Sequence, residues 1–254
     1  GALLGPLVAT GMVALTGHWN ATYLVWALAG ALTLAGLRVV FAPPVPAPRQ
    51  TAAATESPAA AGNPLALALR SRIVWLAAVF LCLYVGAEVS LGSWSYTLLT
   101  QGRRVPPLQA SWMVSGFWFG LVVGRLALGR VAERKGVAWL VQACIAGVLI
   151  SVTLVWVAPA GSVAALGLWL AGLSLGPIFP STIALLDATV APRLQQSAIG
   201  FAASLGAMGS AIFPWLAGNL IERAGLWALL PFVASLTVAL LGLWLTLRPA
   251  VKGS

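Results

Sequence analysis

The chain has 254 residues, of which 60% are hydrophobic and only 7% are charged. A soluble domain carries about 25% charged residues, so this composition excludes a water-soluble fold and a disordered chain and indicates an integral membrane protein. The formal net charge is +9, but the basic residues flank apolar segments and no cluster with interleaved aromatic residues occurs. We therefore predict no nucleic-acid partner.

Apolar segments follow one another along most of the chain. A membrane-crossing helix needs about 20 mostly apolar residues. By this measure the chain starts in a truncated span at 1–16, which has no basic leader, and continues through full spans at 20–41, 73–100, 108–128, 137–158, 162–187, 196–221 and 226–247. Lipid offers no hydrogen-bond partner to backbone groups, so we expect all of these spans to be α-helical.

The segment 42–72 differs from its neighbours because it is rich in Pro and Ala and carries charges. This composition is typical of a solvated linker. It divides the chain into two transmembrane helices at 1–41, a linker at 42–72, a six-helix bundle at 73–248 and a short tail at 249–254.

The distribution of basic residues predicts the orientation in the membrane. If the linker is cytoplasmic, eleven of the fourteen Lys and Arg residues lie on the cytoplasmic side. Only Arg103, Arg104 and Arg223 then lie outside. This is the positive-inside bias, and we expect the linker and the C-terminus to be cytoplasmic.

Two internal repeats are present. Residues 129–136 and 218–225 share the pattern Gly-x-x-x-Glu-Arg-x-Gly at an offset of 89 (218 minus 129). The same offset carries the start of one triplet of spans, Ile73, to the start of the next, Ser162. Because three is an odd number, the two triplets face opposite sides of the membrane, which predicts an inverted three-plus-three repeat.

A second offset, of 208, pairs Gly17 with Gly225 and Trp19 with Trp227. It makes residues 1–41 the counterpart of the last two spans. Carrying Ile73 back by 208 lands 136 positions before the first residue. We therefore expect about four further spans upstream, and two halves of six spans each in the whole protein.

Three segments resemble the major facilitator superfamily. Residues 124–136, Gly-Arg-Leu-Ala-Leu-Gly-Arg-Val-Ala-Glu-Arg-Lys-Gly, look like the loop signature after its eighth span. The run Tyr84-Val85-Gly86-Ala87-Glu88 with Gly92, Trp94 and Tyr96 resembles the seventh span of the fucose-permease-like sugar-transporter branch, and residues 172–180 resemble the tenth.

The resemblance implies an all-α major facilitator fold fragment, spans five to twelve of twelve. It would comprise two spans of the N-terminal bundle and the complete C-terminal bundle of a transporter that works by alternating access. The partners implied are a small solute, the lipid bilayer and the missing N-terminal spans, in a monomer of the bacterial inner membrane. The loop signature would form a gate through Gly124, Arg125, Gly129, Arg130, Glu133, Arg134 and Lys135.

Glu88 is the only acidic residue deep inside a predicted span. A carboxylate at that depth is costly, so it must face the bundle interior, a cavity or a partner. It could couple protons to solute binding or accept hydrogen bonds from sugar hydroxyls. Tyr84 and Ser95 lie on roughly the same helical face. The structural alternative is a carboxyl group hydrogen-bonded to a neighbouring helix.

Other candidate site residues are aromatic or break a helix. Trp94 and Trp118 could stack on a sugar, although interior packing would explain them too. Pro177 must weaken the tenth span, which predicts a hinge that lines the site together with Phe179. Close helix packing is the alternative there.

We predict proton-coupled import of a small, polar, sugar-like solute. Drug or hydrophobic compound:proton antiport remains the alternative, because Gly1-x-x-x-Gly5-Pro6 resembles part of the pattern of the antiporter branch. A membrane-embedded enzyme is disfavoured, since paired acids and a catalytic set are lacking, and a non-transporting scaffold has no feature in its favour. One histidine and two cysteines in apolar runs predict no metal site and no cofactor.

Overall fold

A computed structural model describes residues 3–40, 63–157 and 161–252, and within those ranges the chain forms eleven α-helices. They are α1 (Gly5–Thr16), α2 (Ala21–Val40), α3 (Pro64–Ala68), α4 (Arg72–Thr97), α5 (Pro107–Ala127), α6 (Gly129–Lys135), α7 (Val137–Val157), α8 (Gly161–Leu175), α9 (Ile178–Thr189), α10 (Gln195–Ala224) and α11 (Leu229–Lys252). Seven helical segments in this part of the chain are long and apolar enough to cross a membrane. They coincide with the seven full spans predicted from the sequence.

The chain divides into two units, residues 7–62 and residues 63–254 together with 1–6. α1 has no buried residue, and four of the five leucines of α2 are more than half exposed. Most of the predicted linker, residues 42–62, lies outside the described residues. Its remainder contains α3, where the side chain of Asn63 accepts a hydrogen bond of 3.0 Å from the Leu65 N–H. α11 continues through the predicted tail to Lys252.

The second unit is a bundle whose helix pairs follow the predicted repeat. α4 packs on α10 and α5 on α8, α7 packs on α8 and α4 on α11, and α7 contacts α11. The repeat relates α4 to α8 with α9, α5 to α10, and α7 to α11. Under this exchange the α4–α10 pair becomes the α5–α8 pair, and the α7–α8 pair becomes the α4–α11 pair. The α7–α11 pair is carried onto itself. This packing pattern supports the inverted repeat.

Equivalent helices end in the same way. Gly136 and Gly225 terminate α6 and α10 with φ of 87° and 93°, and each N–H donates to a carbonyl four residues back at 2.8 Å. Gly17 ends α1 with φ of 71°. A left-handed residue after a helix is best supplied by glycine, which explains these three positions.

Glycines also set the spacing between α5 and α8. Gly120 and Gly124 face the α8 backbone, and Gly172 and Gly176 face the α5 backbone, so a Cβ at any of the four would overlap main-chain atoms of the other helix. We call these four residues the glycine seam. Gly209, which the offset of 89 pairs with Gly120, lies in the same way against the Cys82 carbonyl of α4.

The tenth span is broken at its middle. α8 ends at Leu175 and α9 begins at Ile178, with Gly176 and Pro177 between them. Proline has no N–H to continue the helical ladder. The predicted weak point in this span is therefore confirmed as a helix break.

Candidate functional site

Glu88 and Arg125 form an ion pair between α4 and α5. The distance from Arg125 Nη2 to Glu88 Oε1 is 3.8 Å, and the two side chains are 46% and 10% exposed. Among the described residues this is the only ion pair. The deep acid is therefore not isolated, because a guanidinium reaches it from the next span.

The backbone around the glycine seam positions Arg125. Gly124 lies against the Leu173 carbonyl, and a Cβ on Gly176 would lie 2.9 Å from the Arg125 N. Arg125 is thus in the last turn of α5, directly beside the break in the tenth span. From there its long side chain reaches Glu88 on α4. The apolar stem of an arginine can lie along apolar surface while its guanidinium group pairs with an acid.

Tyr84 lies one helical turn before Glu88 on α4 and is fully buried. Its hydroxyl group faces both Glu88 and Arg125, but the contacts do not have the distance and angles of a full hydrogen bond. The Phe179 ring of α9 packs on the Tyr84 ring, with centroids 6.4 Å apart and planes at 48°. Pro177, which is buried at the break, places Phe179 there.

The other predicted site residues face different neighbours. Trp94 donates a hydrogen bond of 3.0 Å from Nε1 to the Pro214 carbonyl, and its ring packs on α10. Ser95 is buried and donates to the Leu91 carbonyl of its own helix at 2.5 Å. Trp118 packs on Gly92. Trp94 and Trp118 thus join helices of the bundle and Ser95 bonds within α4, while Tyr84, Glu88 and Phe179 converge with Arg125.

The predicted gate residues lie on and around α6. Arg130, Glu133, Arg134 and Lys135 are exposed, as is Gly129 at the start of the helix, and the Lys135 ammonium lies 4.3 Å from the Trp139 ring centroid. Gly124 and Arg125 belong to α5. Arg125 pairs with Glu88 of α4 and not with Glu133, the acidic residue of the same loop signature.

Sequence reasoning missed the pairing of Glu88 with Arg125, although it named both residues. A signal was available, since a lone deep acid needs a cation and Arg125 lies just inside the end of its span. This cluster of Tyr84, Glu88, Arg125 and Phe179 contains a proton acceptor, a cation, a hydroxyl donor and an aromatic face. Together these groups can bind a proton and hydrogen-bond a polar solute.

Comparisons with known proteins agree with this architecture. A family model described as Major Facilitator Superfamily matches residues 89–254. Bypass of stop codon protein 6 from Saccharomyces cerevisiae is 30% identical over 200 residues, which is 73% of this chain and 39% of that protein. A Glucose/galactose transporter from Brucella abortus is 30% identical over 196 residues, 74% of this chain and 46% of that protein.

A solved structure is also similar. The crystal structure of the human organic anion transporter MFSD10 (TETRAN) matches with a TM-score of 0.61 at 19% identity, covering 67% of this chain and 40% of that one. At this identity the likeness concerns the fold alone. The chain spans less than half the length of the relatives that it matches.

Proposed function

The chain belongs to the major facilitator superfamily, a family of membrane transporters, and on that premise we propose that the full-length protein imports a small polar solute together with protons. The two bundles would alternate access to a central site. The chain is that of a multi-pass integral membrane protein rather than an enzyme, since it combines this family membership with seven potential spans.

The ion pair between Glu88 and Arg125 carries the proposal. When Glu88 is ionised, the pair links α4 to α5 beside the break in the tenth span. When Glu88 accepts a proton, the attraction is lost and Arg125 is released. The Glu88–Arg125 contact therefore links protonation of Glu88 to the packing of α4, α5 and the tenth span. Coupling of protons to transport requires such a link between protonation and conformation.

The chemistry of the cluster favours a hydroxylated solute. The buried Tyr84 hydroxyl lies beside Glu88 and Arg125 without a hydrogen bond of full geometry, and a buried polar group left unsatisfied costs about 1–3 kcal/mol. A sugar hydroxyl would satisfy both Tyr84 and the Glu88 carboxyl group, while Phe179 offers a ring face. The printed name of the Brucella relative, a glucose/galactose transporter, supports the same class of solute.

Location and assembly are part of this proposal. We expect the linker and C-terminus to be cytoplasmic and the protein to be a monomer. Relatives occur in a bacterium and in a yeast, so the bacterial inner membrane stays a prediction.

The test is uptake of radiolabelled sugars by the full-length protein in proteoliposomes, with and without an inward proton gradient. Glu88→Gln keeps the shape of the side chain but cannot exchange a proton. We expect it to abolish the pH dependence of uptake, while Glu133→Gln, at the other acid named from the sequence, keeps it.

Uptake by Glu88→Gln that still follows the proton gradient would contradict the coupling role. Solute movement against the direction of the protons, with a hydrophobic compound as the substrate, would instead establish export by antiport. Unchanged pH dependence in Glu133→Gln separates a specific effect of Glu88 from a general loss of negative charge.

A further inference from the structure

A cavity of about 600 Å³ opens at the end of the bundle where α5 and α8 begin. Arg103, Arg104 and Gln109 line it from the α5 side, and Gly161 and Ser162 from the α8 side. None of its lining residues is acidic. It lies at the opposite end of α5 from Arg125, so it is separate from the cluster around Glu88.

Arg103 is fixed in the wall of this cavity. Its Nη2 donates hydrogen bonds to the carbonyl oxygens of Val155 and Trp156 at the end of α7. A cation at the C-terminus of a helix is favourable in its own right. The structure therefore explains why Arg103 is present and holds its positive charge at the cavity.

Arg104 has no comparable explanation. It forms no ion pair among the described residues, is exposed, and has φ of 55°, the only positive φ of a non-glycine residue in that part of the chain. That conformation is unfavourable for any side chain with a Cβ, and such strain is often retained at functional positions. Arg104 also opposes the positive-inside bias, because the predicted orientation places it outside.

The surroundings of Arg104 are electropositive. α5 and α8 both start at this cavity, and the N-terminal end of each helix adds partial positive charge to that of the two guanidinium groups. Trp112, whose ring is 62% exposed, lies at the rim. Tryptophan in this position is typical of the boundary between lipid and water.

We propose that this cavity binds a phosphate group, presented either by a lipid headgroup or by a soluble phosphate ester. Arg104 provides the guanidinium that contacts the phosphate oxygens, a geometry for which arginine is well suited. Arg103 contributes charge from the wall, and Gln109 and Ser162 provide neutral donors. The site is independent of proton coupling at Glu88.

The test uses native mass spectrometry of the full-length protein in detergent. The probes are dioctanoyl phosphatidylglycerol, glycerol 3-phosphate and, as a control without phosphate, dioctanoylglycerol. The variant Arg104→Gly removes the side chain, and glycine tolerates the local φ without strain. We expect its dissociation constant for the bound phosphate probe to rise at least about tenfold, while its Tm stays equal to or above that of the parent protein.

The matched control is Arg223→Gln, which removes the third basic residue of the same predicted side. It should bind like the parent protein. Binding of phosphatidylglycerol alone identifies a lipid headgroup, and binding of glycerol 3-phosphate identifies a soluble ester. Equal affinity in Arg104→Gly, binding of dioctanoylglycerol as tight as that of phosphatidylglycerol, or no binding of either phosphate probe would each overturn the proposal.

Discussion

At the scale of single residues, we expect the Tyr84 hydroxyl group to affect stability and solute uptake in opposite ways. It is fully buried beside Glu88 and Arg125 and makes no hydrogen bond of full geometry with them. Removing it in Tyr84→Phe abolishes an unsatisfied donor and leaves the ring contact with Phe179 intact. We therefore expect the unfolding free energy of the protein without solute to stay equal or to rise by up to about 1–3 kcal/mol. The Tm should change in the same direction.

The same substitution is expected to raise the KM for solute uptake, because the solute loses a hydrogen bond inside the bundle. Uptake assays and thermal unfolding of one preparation measure both effects. Tyr96→Phe, on the same helix and only half-buried, serves as the control. A Tyr84→Phe variant with parental KM and lower Tm would show that the hydroxyl group stabilises the fold and does not contact the solute.

The candidate site was partly predictable from the sequence. Glu88 stands out because a single charge in an apolar span needs an explanation, and Tyr84 follows from helical spacing. The sequence indicates that Glu88 needs a cation and places Arg125 just inside the end of its span, but it does not determine the rotation of α5 against α4 that brings the two side chains together. For the same reason the sequence does not show that the Trp94 indole donates to the Pro214 carbonyl.

At the scale of helices, the glycine seam makes a specific prediction for α5 and α8. A Cβ at residue 172 would overlap the Phe117 carbonyl, whereas a Cβ at Gly116, on α5, meets no atom within 4 Å. Overpacking of this kind costs about 1–3 kcal/mol. We expect Gly172→Ala to lower the unfolding free energy by at least this amount, and Gly116→Ala to leave it unchanged or slightly higher.

Denaturant unfolding in detergent, followed by circular dichroism, measures the difference between the two variants. Equal destabilisation by both would mean that glycine acts through helix propensity and not through close approach. Equal stability of both would show that α5 and α8 can separate without cost.

Helix positions were predicted well and helix partners were not. The spans follow from length and hydropathy, and the break at Pro177 follows from a missing N–H. The pairing of α4 with α10 and of α5 with α8 depends on where glycines from two distant segments meet. The repeat offset does relate the two pairs to each other, because Gly120 and Gly209 occupy equivalent positions.

At the scale of the whole molecule, the predicted orientation can be tested with single cysteines. In a background of Cys82→Ser and Cys144→Ser, Glu133→Cys on α6 and Gln109→Cys at the start of α5 introduce thiols at exposed positions. We expect a membrane-impermeant maleimide to label residue 109 in intact cells and residue 133 only after the membrane is opened. The basic residues around α6 are the physical reason.

The reverse labelling pattern would invert the topology and place Arg103 and Arg104 inside. Labelling of both positions in intact cells would contradict the assignment of α5 as a complete span. The background without cysteines provides the control for labelling of lipid and of other proteins.

The repeat leaves a chemical difference between its two copies. The offset of 89 that relates the triplets carries Glu88 onto Pro177 and Arg125 onto Pro214. One copy thus has an acid and a base where the other has two prolines, one at the break between α8 and α9 and one inside the continuous helix α10. If the two inverted copies were identical, their symmetry would exchange the inward-open and outward-open states, and the two states would have equal free energy. At these two equivalent positions only one copy has charges that pH and salt can alter, so the acidity of one compartment can bias which state is populated.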